Sequence, residues 1–398
     1  MNQTVAKALI SLVLIASIAA ALITSEHPEP EHDESFPCLS IDTRGVAIET
    51  KDAYIRCTVD AESGQGDISH AEAGIKGRGN STWEQPKKPY AVKFSEKTSL
   101  FGNGPSKTWV LLADYLDKSM LRNRMSQSVA ETLGVDSLSS QYVSLYLNGE
   151  YMGLYLLIEK IGLDDADESG FILEMDSHAA SEGTEGIDYF SVNGKDYGIK
   201  DLDCTPERTA EIKGFMEAIW DAIDSDEWSR VQEMLDPESF AATYIVEELF
   251  HDADVNLSSF YFHLGEDGRL CSGPIWDFDL CAGNYNTMHA NDPEFMYVAL
   301  MSDWYSSLLG YDEFRALVSE MLKDKGQYIR SAINETVAYA IQHDGDFLKN
   351  YGKWSTLDRH VDMNPLALMA LDTWKEHVDL LAAWLERSLE SMLKEYCG

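Results

Sequence analysis

The sequence predicts an α+β chain: a mainly antiparallel sheet carrying one helix, followed by a mainly helical half. Three observations lead there. Between about residues 36 and 160 apolar residues alternate in short runs, as in YAVKF at 90–94 and WVLLA at 109–113, which is the period of a half-buried strand. Asn148-Gly149 stands between YVSLYL and YMGLYLLIEKI, and Asn-Gly accommodates the left-handed backbone of a two-residue hairpin turn. Beyond residue 205 the apolar spacing becomes helical, opened twice by an N-cap followed by Pro, at Thr205-Pro206 and Asp236-Pro237.

Taken in order, the first half offers strands at VAIET (46–50), AYIRCTV (53–59), YAVKF, WVLLA, YVSLYL (142–147) and YMGLYLLIEKI (151–161). A helix over DKSMLRNRMSQSVAETLG (117–134) interrupts them, with Leu121, Met125, Val129 and Leu133 on one face and Gly134 as its stop. A polar stretch covers about 163–202. Helices follow at TPERTAEIKGFMEAIWDAI and DPESFAATYIVEELFHD, then a strand-turn-strand region at 258–279, then long helices near 312–343 and 366–396.

The chain has 398 residues, with 31 Lys+Arg against 68 Asp+Glu and a formal net charge of −37. Such a surface repels nucleic acid and suits cationic partners, metal ions or Lys/Arg-rich proteins. Hydrophobic residues at 44% are enough for a large core and argue against disorder. Residues 8–25, ALISLVLIASIAAALITS, are uncharged and follow Lys7, so residues 1–25 read as a signal peptide or N-terminal anchor and 26–36 as an acidic linker. The rest is expected outside the cytoplasm, secreted or at the cell surface, touching a membrane only through such an anchor. Six cysteines, an even number in an exported chain, allow up to three disulfides.

Three segments carry chemistry. In IKGRGNSTWEQPKKPYAVKF (75–94) a G-x-G turn lets backbone amides approach an anion, and Lys93 on the next strand supplies a point charge for phosphate. In HDADVNLSSFYF (251–262) acids follow an apolar helix where a base or a metal ligand can sit; Leu257 and His263 stand where a calcium loop needs Gly and Glu, so that reading fails. In GPIWDFDLCAGN (273–284) Asp277 and Asp279 lie two apart among apolar residues, which in an extended segment places both on one side, where a divalent cation would neutralise them. The commonest zinc-protease, hydrolase and P-loop sequences do not occur.

In order and spacing, GRGNSTW…KKPYAVKF, WVLLAD with DKSMLRN, YVSLYLNGEYMGLYLLIEKI and DADVNLSSFYF…GRLCSGPIWDFDLCAGN resemble the CotH-type kinase family, named for a spore coat protein. The resemblance implies a divergent protein-kinase-like bilobal fold, with an antiparallel-sheet N-lobe at 37–165 and a helical C-lobe at 166–398. It further implies ATP, Mg2+ or Mn2+, and phosphate transfer to Ser/Thr of a protein; the chain itself is expected to be a monomer. Arg78, Gly79, Asn80 and Ser81 then correspond to the loop over the nucleotide phosphates and Lys93 to the phosphate-contacting lysine, with Glu159 or Glu131 as its partner. Asp254 corresponds to the catalytic aspartate, and Asp277, Asp279 and Asn256 to metal ligands. The family signatures are altered here: D-F-D stands for D-F-G, and Ser259 occupies the usual place of the catalytic-loop Asn. Arg122 and Asn123 either orient nucleotide or cap the fold. The expected acceptor is basic and Ser-rich; the rival readings are a silent surface-structural or adhesion protein and a nucleotidyl transferase.

Overall fold

Seven strands with alternating apolar positions do not stay an open sheet. In the computed structural model, which describes residues 35–63, 67–162, 170–200, 204–287, 289–361 and 363–398, they close into a barrel. The strands are β1 (Cys38–Asp42), β2 (Ile55–Glu62), β3 (Ile68–Gly77), β4 (Tyr90–Thr98), β5 (Ser106–Leu112), β6 (Ser140–Leu147) and β7 (Glu150–Glu159), in the order β1-β2-β3-β4-β5-β7-β6. Closure comes from a parallel pairing of β1 with β6, Leu39 opposite Leu145. The simple antiparallel sheet expected from the sequence is therefore corrected to a closed seven-stranded barrel. The reason is that a sheet with open edges exposes a row of unpaired backbone groups, and closure removes both edges.

Period-two alternation fills the barrel. Leu39 and Ile41, Tyr90, Val92 and Phe94, Trp109 and Leu111, Val143 and Leu145, and Tyr155 and Leu157 are buried together in its core. The Asn148-Gly149 turn has φ of 51° and 82°, both left-handed as the hairpin requires. Residues 46–50 form no strand; β1 and the largely exposed β3 take that part of the sheet instead. The expected helix also begins later, as α1 (Arg122–Leu133). The Asp117 carboxylate accepts the backbone N–H of Ser119 at 2.8 Å and of Arg122 at 2.9 Å, so residues 117–121 form a capping turn.

The chain divides into two compact units. Among the described residues, the first holds those within 35–124, 138–160 and 334–383, and the second those within 125–137, 161–333 and 384–398. These borders differ from a division at residue 165, because residues 334–383 belong with the barrel. Phe36, assigned to the acidic linker by its sequence, is a core residue of the first unit: its N–H donates to Asp346 Oδ2 at 2.7 Å and its ring stacks on His343 at 4.3 Å.

In the second unit the helices α2 (Pro206–Ile223), α3 (Pro237–Phe250), α4 (Asp312–Gln342, entering from residue 312) and the end of α5 (Trp374–Cys397) accompany a five-stranded sheet. Thr205 and Asp236 cap α2 and α3 through Arg208 N–H at 3.3 Å and Glu238 N–H at 3.0 Å. The sheet runs β12-β11-β8-β10-β9, from β8 (Ile172–Met175), β9 (Tyr189–Val192), β10 (Lys195–Lys200), β11 (Phe260–Leu264) and β12 (Leu270–Ser272). Three of these strands lie in the stretch that reads as merely polar, so this half is less purely helical than expected. All six cysteines are free thiols, and the anticipated disulfides are not formed. Residues 1–34 lie outside the described residues; among those described, no helix is long and apolar enough to cross a membrane.

Candidate active site

The site of the second unit is built at the C-terminus of α3. That helix is buried along almost its whole length and ends at His251, whose φ of 50° is left-handed and turns the chain out of the helix. Asp252 N–H then donates to Glu247 O at 3.0 Å, Asp254 N–H to Asp252 Oδ1 at 3.1 Å, and Leu257 N–H to Asp254 O at 2.7 Å. The acids of the HDAD segment are thereby folded into one tight turn.

Glu247, Asp252, Asp254 and Asp277 interact in succession. Burial, then the Asp252 carboxylate, raises the Glu247 carboxyl well above its usual range. Burial, then Asp254, lifts Asp252 to about 7, although the Cys281 thiol donates to Asp252 Oδ1 at 3.5 Å. Burial, then Asp277, lifts Asp254 to about 6, and His178 acts in the opposite sense. Each carboxylate disfavours ionisation of the next because they share a poorly hydrated space.

His251 and Glu248 hold this turn from behind. Glu248 is fully buried and accepts the N–H groups of Tyr297 at 2.5 Å, Val298 at 3.1 Å and Ala299 at 2.7 Å, and the Tyr244 hydroxyl at 3.1 Å. His251 stacks on Tyr297 and meets Trp384 edge-on, and burial lowers its pKa to about 3, so it is neutral.

Asp277 has a left-handed φ of 70° and is half-buried, whereas Asp279 is buried in the turn that follows. The extended geometry that would put both on one side is thus absent. Asp254 and Asp277 are brought together; the Asn256 side chain instead accepts Asp303 N–H at 3.4 Å, and its carbonyl accepts Lys195 Nζ at 3.2 Å. Ser259, also left-handed at φ 60°, leads into β11.

In the first unit, β3 ends at Gly77 and the chain turns through Arg78, whose N–H donates to Pro89 O at 3.2 Å, and Gly79 at φ 81°. A Cβ on Gly79 would lie 2.0 Å from Thr82 Oγ1, so this turn needs glycine for space as well as conformation. Asn80 Oδ1 accepts Lys51 Nζ at 3.1 Å, and exposed Ser81 opens a 3₁₀ turn, Ser81–Glu84. Lys93 is exposed on the outer face of β4, between inward Val92 and Phe94. By register Lys93 faces Thr108 while Val92 faces Trp109, which faces Glu159. Lys93 and Glu159 therefore point to opposite faces of the sheet, and Glu159 Oε2 accepts Ser139 N–H at 3.2 Å.

The sequence reading missed Lys87. Its Nζ is buried, donates to Ala113 O at 2.7 Å and to Leu154 O, and lies 4.5 Å from the Tyr155 ring centre. Burial lowers its pKa to about 7 against the pull of Asp114. Asn123 donates to Asp114 Oδ1 at 2.8 Å and the Arg122 guanidinium to Asp117. Both residues, left open between nucleotide binding and capping, are buried with fold-internal partners.

A family model for the CotH kinase protein matches residues 75–392, beginning at the strand that leads into GRGNSTW. The chain belongs to the CotH kinase protein family. Comparison with curated proteins gives no match. Among solved structures, this CotH family member is similar to the HipA–HipB toxin–antitoxin complex with operator DNA of Shewanella oneidensis MR-1, at 12% identity and a TM-score of 0.36 over 80% of this chain and 67% of that one. It is also similar to the proinflammatory kinase CtkA of Helicobacter pylori, at 9% identity and a TM-score of 0.30 over 81% of this chain and 94% of that one.

The donor chemistry around Asp254 fits a divalent cation. Glu247 Oε2 is buried without a hydrogen-bond partner among the described residues, and Asp254 and Asp277 repel each other in the same space. Among the described residues no three His, Cys, Asp or Glu side chains form a ready cage. That is compatible with Mg2+, which commonly takes one or two protein carboxylates and completes its shell with phosphate oxygens and water.

Proposed function

We propose that this CotH family protein is an exported protein kinase that transfers the ATP γ-phosphate to Ser or Thr of a protein, as a monomer and with Mg2+ or Mn2+. The observation that carries the reading is the catalytic turn itself. Asp254 sits after a rigid buried helix with its carboxyl lifted to about 6, near the pH at which a general base works best. Its role is to accept a hydrogen bond from the incoming hydroxyl and orient it. Asp277, beside it, and Asp279 are the residues to hold a cation. Arg78, Gly79, Asn80 and Ser81 are the residues to meet phosphate oxygens, with Lys93 as a point charge. When bound, ATP supplies the phosphoryl group and the cation neutralises it; the protein contributes positioning and charge. A net charge of −37 favours a basic acceptor rich in serine.

The test is the full-length protein with γ-labelled ATP, Mg2+ or Mn2+, and protamine as the basic serine-containing acceptor. Label transfer is expected, and Asp254→Asn should lower kcat by about 10²–10⁴, with a comparable loss for Asp277→Asn. Nucleotide binding without γ-phosphate transfer would favour a nucleotidyl transferase. No nucleotide binding would leave a surface-structural protein.

A further inference from the structure

Resting on the kinase reading, we propose that His178 contacts the acceptor segment of the protein substrate through one imidazole hydrogen bond at the rim of Asp254. No family signature in the sequence includes this residue, which falls in the stretch that reads as polar.

The sheet brings it there. β8 runs antiparallel to β11 with Met175 opposite Phe260, so the residues leaving β8 run back alongside those entering β11. The pairing continues beyond both strands: Ser177 N–H donates to Leu257 O at 2.8 Å, and Leu257 N–H donates to Asp254 O at 2.7 Å. The 176–178 turn is thereby sewn to the catalytic turn by main-chain bonds. His178 follows directly on Ser177, one residue from that main-chain bond.

The turn that presents His178 is itself firmly held. Asp176 is buried; its Oδ1 accepts His178 N–H at 2.9 Å, its carbonyl accepts Ala179 N–H at 3.1 Å, and its own N–H donates to Asp196 O at 3.0 Å. Lys200 Nζ lies 3.5 Å from Asp176 Oδ2. From β10, Lys195 clasps the catalytic turn through Asn256 O at 3.2 Å and Asp303 at 3.2 Å. The main chain that carries the imidazole is therefore held in place before a peptide arrives.

Exposure separates the roles of the two side chains. Asp254 is half-buried, whereas His178 is exposed. On this proposal a hydroxyl-bearing peptide in extended form, delivering its hydroxyl to Asp254 from solvent, runs beside the exposed imidazole. That ring can donate from one nitrogen or accept at the other, which suits the main chain of the acceptor residue. The contact is to peptide, so its removal should weaken acceptor binding while nucleotide binding keeps its affinity.

The experiment uses full-length parent, His178→Ala and His178→Asn with a fluorescent peptide holding one serine between arginines. Anisotropy gives the peptide Kd, and phosphate transfer gives KM and kcat. For His178→Ala, Kd and KM for the peptide are expected to rise about tenfold, the equivalent of about 1.4 kcal/mol. An unchanged thermal midpoint and ATP-analogue affinity should accompany this, with part of the peptide affinity recovered in His178→Asn. Equal peptide Kd in parent and His178→Ala overturns the inference, as does a fall in kcat with KM unchanged, which would instead assign His178 to orienting Asp254. If the parent transfers no phosphate, the kinase reading fails, while the anisotropy comparison still decides whether His178 binds peptide.

Discussion

Asp252→Asn removes the most fully enclosed carboxylate of the acidic turn after α3. In the folded protein Asp252 titrates near 7, against 3.8 as the ordinary value, because it is buried and faces Asp254. Between those pH values the native chain binds one more proton at this site than the unfolded chain, so the stability associated with it is present at low pH and lost as pH rises through about 7. A change from 3.8 to about 7 corresponds to about 4 kcal/mol at ~1.4 kcal/mol per pH unit. In urea denaturation without divalent cations, the unfolding free energy of the parent relative to Asp252→Asn should fall by roughly this amount between about pH 4 and about pH 8, the buried His251 and Glu248 acting alike in both proteins. Asp254, raised to about 6, adds a smaller fall of the same sign. In Asp252→Asn the Asp252 contribution disappears from the profile. Parallel profiles for parent and variant would refute the electrostatic account of the turn. A parent that gains stability relative to Asp252→Asn over this range would refute even its sign.

Other changes read other parts of the molecule. Gly79→Ala forces a side chain onto φ 81° and against Thr82 Oγ1, and should cost about 1–3 kcal/mol with weaker ATP-analogue binding by fluorescence titration. Adding Thr82→Ala should recover only the steric part. Glu248→Ala leaves the amides of Tyr297, Val298 and Ala299 without their buried acceptor, and should destabilise by about 2–4 kcal/mol. Hydrogen exchange at these three amides should accelerate more than elsewhere in the second unit; retained protection would show that another group holds them.

Much of the secondary structure is legible because its causes are local. The caps at Thr205 and Asp236, the Asn148-Gly149 turn and the alternation in β4 to β7 each depend on a few neighbouring residues. β3 escaped notice because ISHAEAGIKG buries few side chains, and β8 to β10 because strands this short give little period to read. The turn at 117–121 reads as helix in the sequence because apolar spacing alone does not show the Asp117 cap. In the site, Asp254 is visible as an acid after an apolar helix. Glu247 and Glu248 carried a signal that was passed over: two acids at the C-terminal end of a helix, where the macrodipole disfavours them, in an otherwise apolar segment.

The sequence alone determined the α+β content, the acidic turn after the apolar helix and the family, since these rest on residue types at short spacing. Tertiary structure decided what depends on distant partners. Barrel closure joins Leu39 to Leu145; the burial of Lys87 requires the carbonyls of Ala113 and Leu154; and Ser177 meets the acidic turn at Leu257. The pKa values of Asp252 and Asp254 belong to the same class, because desolvation is a property of the assembled interior and not of the local chain.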